Sequence, residues 1–221
     1  MKIRILTILV GLLIFNKTFG QNREKYVEFK QEAEKFYDSK DYQKSANSYK
    51  AAFDQLEGKA YPNDRYNAAC SYALAGDIEN SFYHLFRLTE DPITKYKNYG
   101  HITTDTDLEI LYKNKRWDKL IAKVKYNKEE AEKDFDKPLV TILDSIHIED
   151  QSYRRQIGDI EEKYGRDSKE MKAHWRLINE KDSINLIKIK KILDERGWLG
   201  AEIIGGQGNS TLFLVIQHSD L

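Results

Sequence analysis

From Tyr26 onward, apolar side chains recur at three- and four-residue spacing, the pattern of helices that each bury one face. Phe29, Ala33, Phe36 and Tyr37 mark one helix, Asp41-Tyr42 a short turn, and Ala46, Tyr49, Ala52 and Phe53 the next. A second copy follows, with Tyr66, Ala69 and Tyr72, then Gly76-Asp77-Ile78, then Ser81, Leu85 and Leu88. The turn aspartates Asp41 and Asp77 lie 36 positions apart, near the period of a helix-turn-helix repeat. A third unit is weaker. Asp91-Pro92 ends the second copy, and Thr103-Thr104-Asp105 caps a short helix carrying Leu108 and Leu111. Arg116-Trp117 then opens a helix with Leu120, Ile121 and Val124, a shortened repeat that covers the last apolar face of the stack.

Residues 125–137 are dominated by Lys, Glu and Asp and read equally as a linker or as a solvated helix extension. Pro138 suits the first turn of a new helix. Its apolar face runs through Leu139, Ile142, Leu143, Ile146, Tyr153, Ile157 and Ile160. A second set, Met171, Trp175, Ile178, Ile189 and Ile192, follows the turn Gly165-Arg166-Asp167. Asp167 with Glu170 resembles a capping box, and Gly197 suits the left-handed position that closes a helix. The expectation is an antiparallel helical hairpin. After Gly197, two short apolar runs flank Gly205-Gly206-Gln207-Gly208-Asn209. They read either as a small β-hairpin or as a short helix from Thr211 to His218 capped by Ser210. The glycines carry no phosphate-loop lysine, so a plain turn is the simpler reading of them. The fold class is therefore all-α: a short helical-repeat array, then a helical hairpin domain.

Both helices of the expected hairpin have polar interruptions on the apolar face. Asp150 and Arg154 continue the row of Leu139, Leu143 and Ile146, while Asp182 and Asn185 sit between Ile178 and Ile189. Folding about Arg166 puts 150 level with 182. Asp150, Gln151, Arg154, Asp182 and Asn185 should then form one polar layer in an apolar seam. With His218 brought back over the hairpin, Asp150 and Asp182 would offer oxygen and nitrogen ligands to a divalent ion, or share a proton as an acid-base pair. The catalytic candidates are thus Asp150, Arg154, Asp182 and His218. The plainer reading is structural: Arg154 neutralises both aspartates, Asn185 and Gln151 satisfy the rest, and the network sets the register of two helices.

Residues 26–90 resemble the tetratricopeptide-repeat family. Ala33 and Ala69 match its small residue in the first helix, Phe36 and Tyr72 the aromatic after it, and Ser45 and Ser81 the small residue opening the second helix. Tyr49 and Ala52 match its later pair. Glu32 stands where a leucine is expected and Leu85 where an aromatic is, and the terminal proline is missing from the first copy. The resemblance implies a concave groove for a protein or peptide partner, with Lys30, Lys35, Tyr37 and Asn67 facing it. Residues 150–218 resemble the C-terminal part of a bacterial family of unknown function found behind such repeats in exported proteins. The resemblance is carried by Asp150-Gln151 with Arg154, Trp175, Asp182 with Asn185, Gly197-Trp198, Gly205 and Gln217-His218. That family continues beyond the equivalent of Leu221, which implies an incomplete domain here.

Composition adds the setting. Lys2 and Arg4 precede an apolar run from Ile5 to Phe15, and Thr18-Phe19-Gly20 follows, the order of a secretory signal peptide cut after Gly20. The run is shorter than the ~20 residues of a spanning helix, which favours export over an uncleaved membrane anchor; no integral segment is then expected after cleavage, and the mature chain is periplasmic or secreted. The expected divisions are 1–20, 21–124, 125–137 and 138–221. The 221 residues hold 36 basic and 36 acidic side chains, a balance with no pull toward nucleic acid. One cysteine excludes an intramolecular disulfide and a cysteine-rich metal centre, and Cys70 lies on a packing face. His84, His101, His147 and His174 have no ligand-like spacing, and no serine sits in a nucleophile elbow. Neither a cofactor nor a resident metal is called for. The expected function is an exported interaction protein. The alternative is an enzyme, a metal-assisted hydrolase, using the polar layer.

Overall fold

A computed structural model of the chain describes residues 21–219; the expected signal peptide, residues 1–20, lies outside them. The described residues are all-helical and contain no strand, and no described helix is long and apolar enough to cross a membrane. The chain falls into two compact units that divide after Ala131.

The first unit begins with α1, residues 21–38, followed by α2 (Tyr42–Gln55), α3 (Pro62–Leu74) and α4 (Ile78–Glu90). Next come a short α5 (Tyr99–Thr104), a 3₁₀ turn (Thr106–Leu111) and α6 (Lys115–Ala131). The two turn aspartates sit in matching geometry. Asp41 donates its backbone N–H to Phe36 O at 2.8 Å, while Lys40 donates to Tyr37 O at 2.9 Å. Asp77 donates to Tyr72 O at 2.8 Å and Gly76 to Ala73 O at 2.9 Å. These are Schellman closures, with Lys40 and Gly76 at the positive-φ position (62° and 82°). The same aspartates then cap the following helices, accepting from Lys44 N and Asn80 N through Oδ1. One residue closes a helix and opens the next, which holds each turn to its minimum length.

Small side chains let these helices approach closely. Ala33, Ala46, Ala52 and Ala69 are fully buried. Ser45 and Ser71 share a hydrogen bond of 2.9 Å, and Ser81 Oγ donates to Ala69 O at 2.8 Å, so none of the three hydroxyls is stranded in the interior. Leu85 and Leu88 join Phe82, Ile102, Leu108, Leu111, Trp117, Leu120 and Val124 in one core. Leu108 and Leu111 lie on the 3₁₀ turn capped by Asp105, and the α5 helix just before it is not foreshadowed by apolar spacing. Residues 125–131 of the charged stretch continue α6.

The second unit contains α7 (Lys137–Arg154), α8 (Ile157–Tyr164), α9 (Lys169–Arg196) and α10 (Ala201–Ser219). Asp136 caps α7 by accepting from Leu139 N, with Pro138 in the first turn. The expected single helix through Ile160 is interrupted at Arg155 and Gln156, and α8, which follows, buries no residue fully. Ser168 rather than Asp167 caps α9, accepting from Met171 N at 3.0 Å. Gly197 closes α9 at φ 68°, donating to Leu193 O at 2.8 Å.

The C-terminal stretch forms a helix and not the alternative β-hairpin. α10 is broken only at Gly205 (φ 71°, ψ 166°), and Ile204, Gly208, Thr211, Leu212 and Val215 form its buried face. A Cβ on Gly208 would lie 3.1 Å from Leu143 Cδ1, which shows how tightly α10 seats on α7. Leu139, Leu143 and Ile146 of α7, Ile189 of α9, and Ile204, Leu212 and Val215 of α10 make one core, so the seam belongs to three helices.

Candidate functional site

Two places in the described chain concentrate chemistry, one in each unit. In the second unit, α7 and α9 run antiparallel. Asp136 pairs with Arg196 at 2.9 Å, Glu149 with Lys188 at 2.6 Å, and Arg154 with Asp182 at 2.8 Å. This register brings Asp150, Arg154 and Asp182 together. The guanidinium donates to both oxygens of Asp182 at 2.9 and 2.8 Å, a bidentate fork, and to Asp150 Oδ1 at 3.3 Å. A further bond runs from Arg154 Nη1 to Asp150 O at 2.9 Å.

Gln151 Nε2 donates to Asp150 Oδ2 at 2.6 Å, and His218, one residue from the end of α10, lies with Nδ1 2.9 Å from Asp150 Oδ1. Because a carboxylate only accepts, that ring nitrogen carries the proton. The side chains of Asp150 and Asp182 are 2% and 8% exposed, against 19% for Arg154 and 16% for His218. The carboxylates are thus more enclosed than Arg154 and His218, which stand between them and water. Asn185, one turn from Asp182, is fully buried, and neither its Oδ1 nor its Nδ2 has a hydrogen-bond partner among the described residues. Such an orphan is uncommon, since most buried polar atoms are satisfied.

Asp150, Asp182 and His218 each offer one ligand atom, all within 4.8 Å of one another. The arginine between the carboxylates already supplies the positive charge that a cation would bring. As it stands the arrangement is a closed ion network in which each aspartate is paired, the usual condition for burying carboxylates.

The first unit holds a hollow of about 290 Å³ formed by α1, α2, α3 and the segment around α5 and the 3₁₀ turn. Its walls are Tyr37, Tyr49, Tyr66, Asn67, Cys70 and His101, with Glu34, Asp38, Asp105 and Asp107 among them. Two tyrosines anchor the carboxylates: Tyr37 donates to Asp107 Oδ2, and Tyr66 to Asp105 Oδ2 at 2.8 Å. Tyr66 also stacks on Tyr96 and lies 4.7 Å, centroid to centroid, from His101. Burial, then the bonds to aspartate, push the Tyr37 and Tyr66 phenols well above their ordinary range, so both remain protonated donors. Burial alone accounts for most of the rise of Tyr49, to about 12. Cys70 is buried, with Sγ 3.7 Å from Asp105 Oδ2, and burial beside two carboxylates drives its thiol far from the reactive thiolate.

Of the groove residues named from sequence, Tyr37 and Asn67 line this hollow. Lys30 pairs with Glu34 at 3.1 Å and borders a different depression beside Tyr26 and Tyr61, and Lys35 is exposed. The acidic members Glu34, Asp38, Asp105 and Asp107 were not singled out by sequence pattern. Glu34 and Asp38 do stand one helical turn apart beside Tyr37, a spacing that places all three near one another. Of the scattered histidines, His84 packs between Tyr72 and Phe53, His174 bonds Tyr153 O at 2.8 Å, and His147 lies 3.4 Å from Thr211 Oγ1. Compared with protein-family models, curated proteins and solved structures, the chain matches none of them.

Proposed function

We propose that this chain is an exported interaction protein: tetratricopeptide-like helical pairs in residues 21–124 receive an extended peptide, and a helical domain follows at 138–221. The observation that carries this reading is the aromatic-walled hollow of the first unit. It continues into a second hollow of about 360 Å³ through the shared residues Tyr66, Asn67 and His101. A run of concave surface suits an extended segment, whose side chains fill successive depressions while its backbone finds polar partners such as Asn67. Asn67 is exposed where the two hollows meet, so Asn67→Trp fills the groove without entering the core. Binding of full-length mature chain to an array of extended peptides should fall at least tenfold in that variant, with unchanged thermal stability. Equal binding by both proteins would remove the groove from the function.

A second reading has one specific observation in its favour. The unpartnered Asn185 stands beside a set, Asp150, Asp182 and His218, whose ligand atoms lie within 4.8 Å of one another. On this reading the layer is an enzyme's metal site, and Arg154 withdraws to admit the ion. Thermal melts with Zn²⁺ or Mn²⁺ decide it: a gain in stability that Asp182→Asn abolishes supports the metal reading, and no gain dismisses it.

A further inference from the structure

We propose that the hollow bounded by α1, α2, α3 and the 3₁₀ turn takes a lysine or arginine side chain of the bound peptide, an inference that rests on the groove reading above. None of the residues lining this hollow is lysine or arginine, whereas four are carboxylates. Their free capacity is unequal. Asp105 is the most heavily engaged, accepting from Tyr66, Cys70 and the backbone N–H of Asp107. Asp107 has one oxygen committed to Tyr37 and one open to a ligand. Glu34 shares one oxygen with Lys30 at the rim, and Asp38 is exposed at the mouth.

The result is a pocket whose interior presents tyrosine rings and whose charged groups are all negatively charged acceptors. That combination suits a long apolar stem ending in a cation. The methylenes lie along the rings, the charged head meets a ring face, and its N–H groups reach Asp107 and Asp38. Because the Tyr37 hydroxyl is donated to Asp107, this carboxylate is held in place before any ligand arrives, which lowers the ordering cost of binding. An acidic or neutral side chain finds few donors there to replace the water it displaces: the Tyr49 hydroxyl, the Asn67 amide and the rim histidine.

The experiment uses the full mature chain and extended peptides randomised at every position except the central one, fixed as Lys, Arg, Gln or Glu, read by fluorescence anisotropy. The Lys and Arg pools should bind at least tenfold tighter than the Gln pool, and the Glu pool weakest. The advantage should shrink as salt rises. Asp38→Asn and Asp107→Asn together should bring the Lys pool down to the affinity of the Gln pool. Asp38→Asn alone, at an exposed position, should take part of that loss and guards against a folding defect in the pair. Equal binding of Lys, Gln and Glu pools overturns the cation pocket but leaves the peptide groove standing. Binding by no pool removes both. Competition by free spermidine as strong as that of the Lys pool also overturns the inference, because the occupant would then be a small polyamine.

Discussion

Removing Arg154 tests the polar layer most directly. In Arg154→Ala, Asp182 loses both hydrogen bonds it receives from the guanidinium, and Asp150 keeps only Gln151 and His218. Breaking a buried ion pair by removing one partner typically costs ~3–5 kcal/mol, because the remaining charge stays desolvated. The lower end applies here, since Arg154 is itself 19% exposed and its departure lets water approach the carboxylates. A loss of ~3 kcal/mol accelerates hydrogen exchange roughly 150-fold wherever the amides open with the unit, at tenfold per 1.36 kcal/mol. Amides along α7 and α9 should show this acceleration by mass spectrometry, while those of α2–α4 stay unchanged. Adding Asp182→Asn should recover ~1–2 kcal/mol of the loss, because a neutral amide is far less costly to leave unpaired than a carboxylate. Acceleration of less than about fivefold would mean a wet, screened layer of ordinary surface strength. Failure of the second substitution to recover anything would assign the loss to arginine packing and not to a stranded charge.

Two further predictions concern the first unit. Lys40 holds the left-handed position that Gly76 fills one turn motif later, so Lys40→Gly should stabilise the protein by ~0.5–1 kcal/mol. That is the ~1–2 kcal/mol left-handed penalty less the extra freedom glycine has when unfolded, and it is measured as a rise in Tm of the first unit. A lowered Tm would show that Lys40 is not strained. Burial first, then the charges of Arg65 and Arg87, lower the His84 pKa to about 4, while Arg65 Nη1 approaches its Nδ1 at 3.2 Å. The folded state therefore keeps the ring neutral, whereas the unfolded chain takes up a proton near pH 6.5. The His84 contribution is complete above that value, declines as pH falls toward 4, and is gone below it, a loss of ~3 kcal/mol. Urea unfolding across this range should show the decline, and a His84→Phe background should flatten it; an equally steep decline in that background would place the effect elsewhere.

The helical class and much of the polar layer were legible because both follow from short-range rules. Asp41 and Asp77 announce themselves as turn residues by what flanks them. Arg154 and Asp182 declare an internal layer by occupying the apolar stripe of each helix, where a charge needs a partner. The break at Arg155 and Gln156 was invisible, since neither proline nor glycine marks it and apolar spacing carries on across it to Ile157 and Ile160. The choice of Ser168 over Asp167 as the cap of α9 hides in the same way, because adjacent residues of similar chemistry compete for one position. The nature of α10 needed tertiary information: a short apolar run around glycines becomes helical once α7 and α9 offer a surface for Ile204, Leu212 and Val215. The hollow lay furthest from reach. Its residues come from four separate places, 34–38, Tyr49, 66–70 and 101–107, and only their convergence turns unremarkable acids and tyrosines into a pocket.

The aspartates that end one helix while starting the next leave no slack in either connection. Inserting a single amino acid beside Asp41 or Asp77 would pull the closing amide and the capping carboxylate out of step together, so two helices would fray at once. The spacing of the paired rods is thereby locked, and with it the distance between the walls that any visiting chain must span.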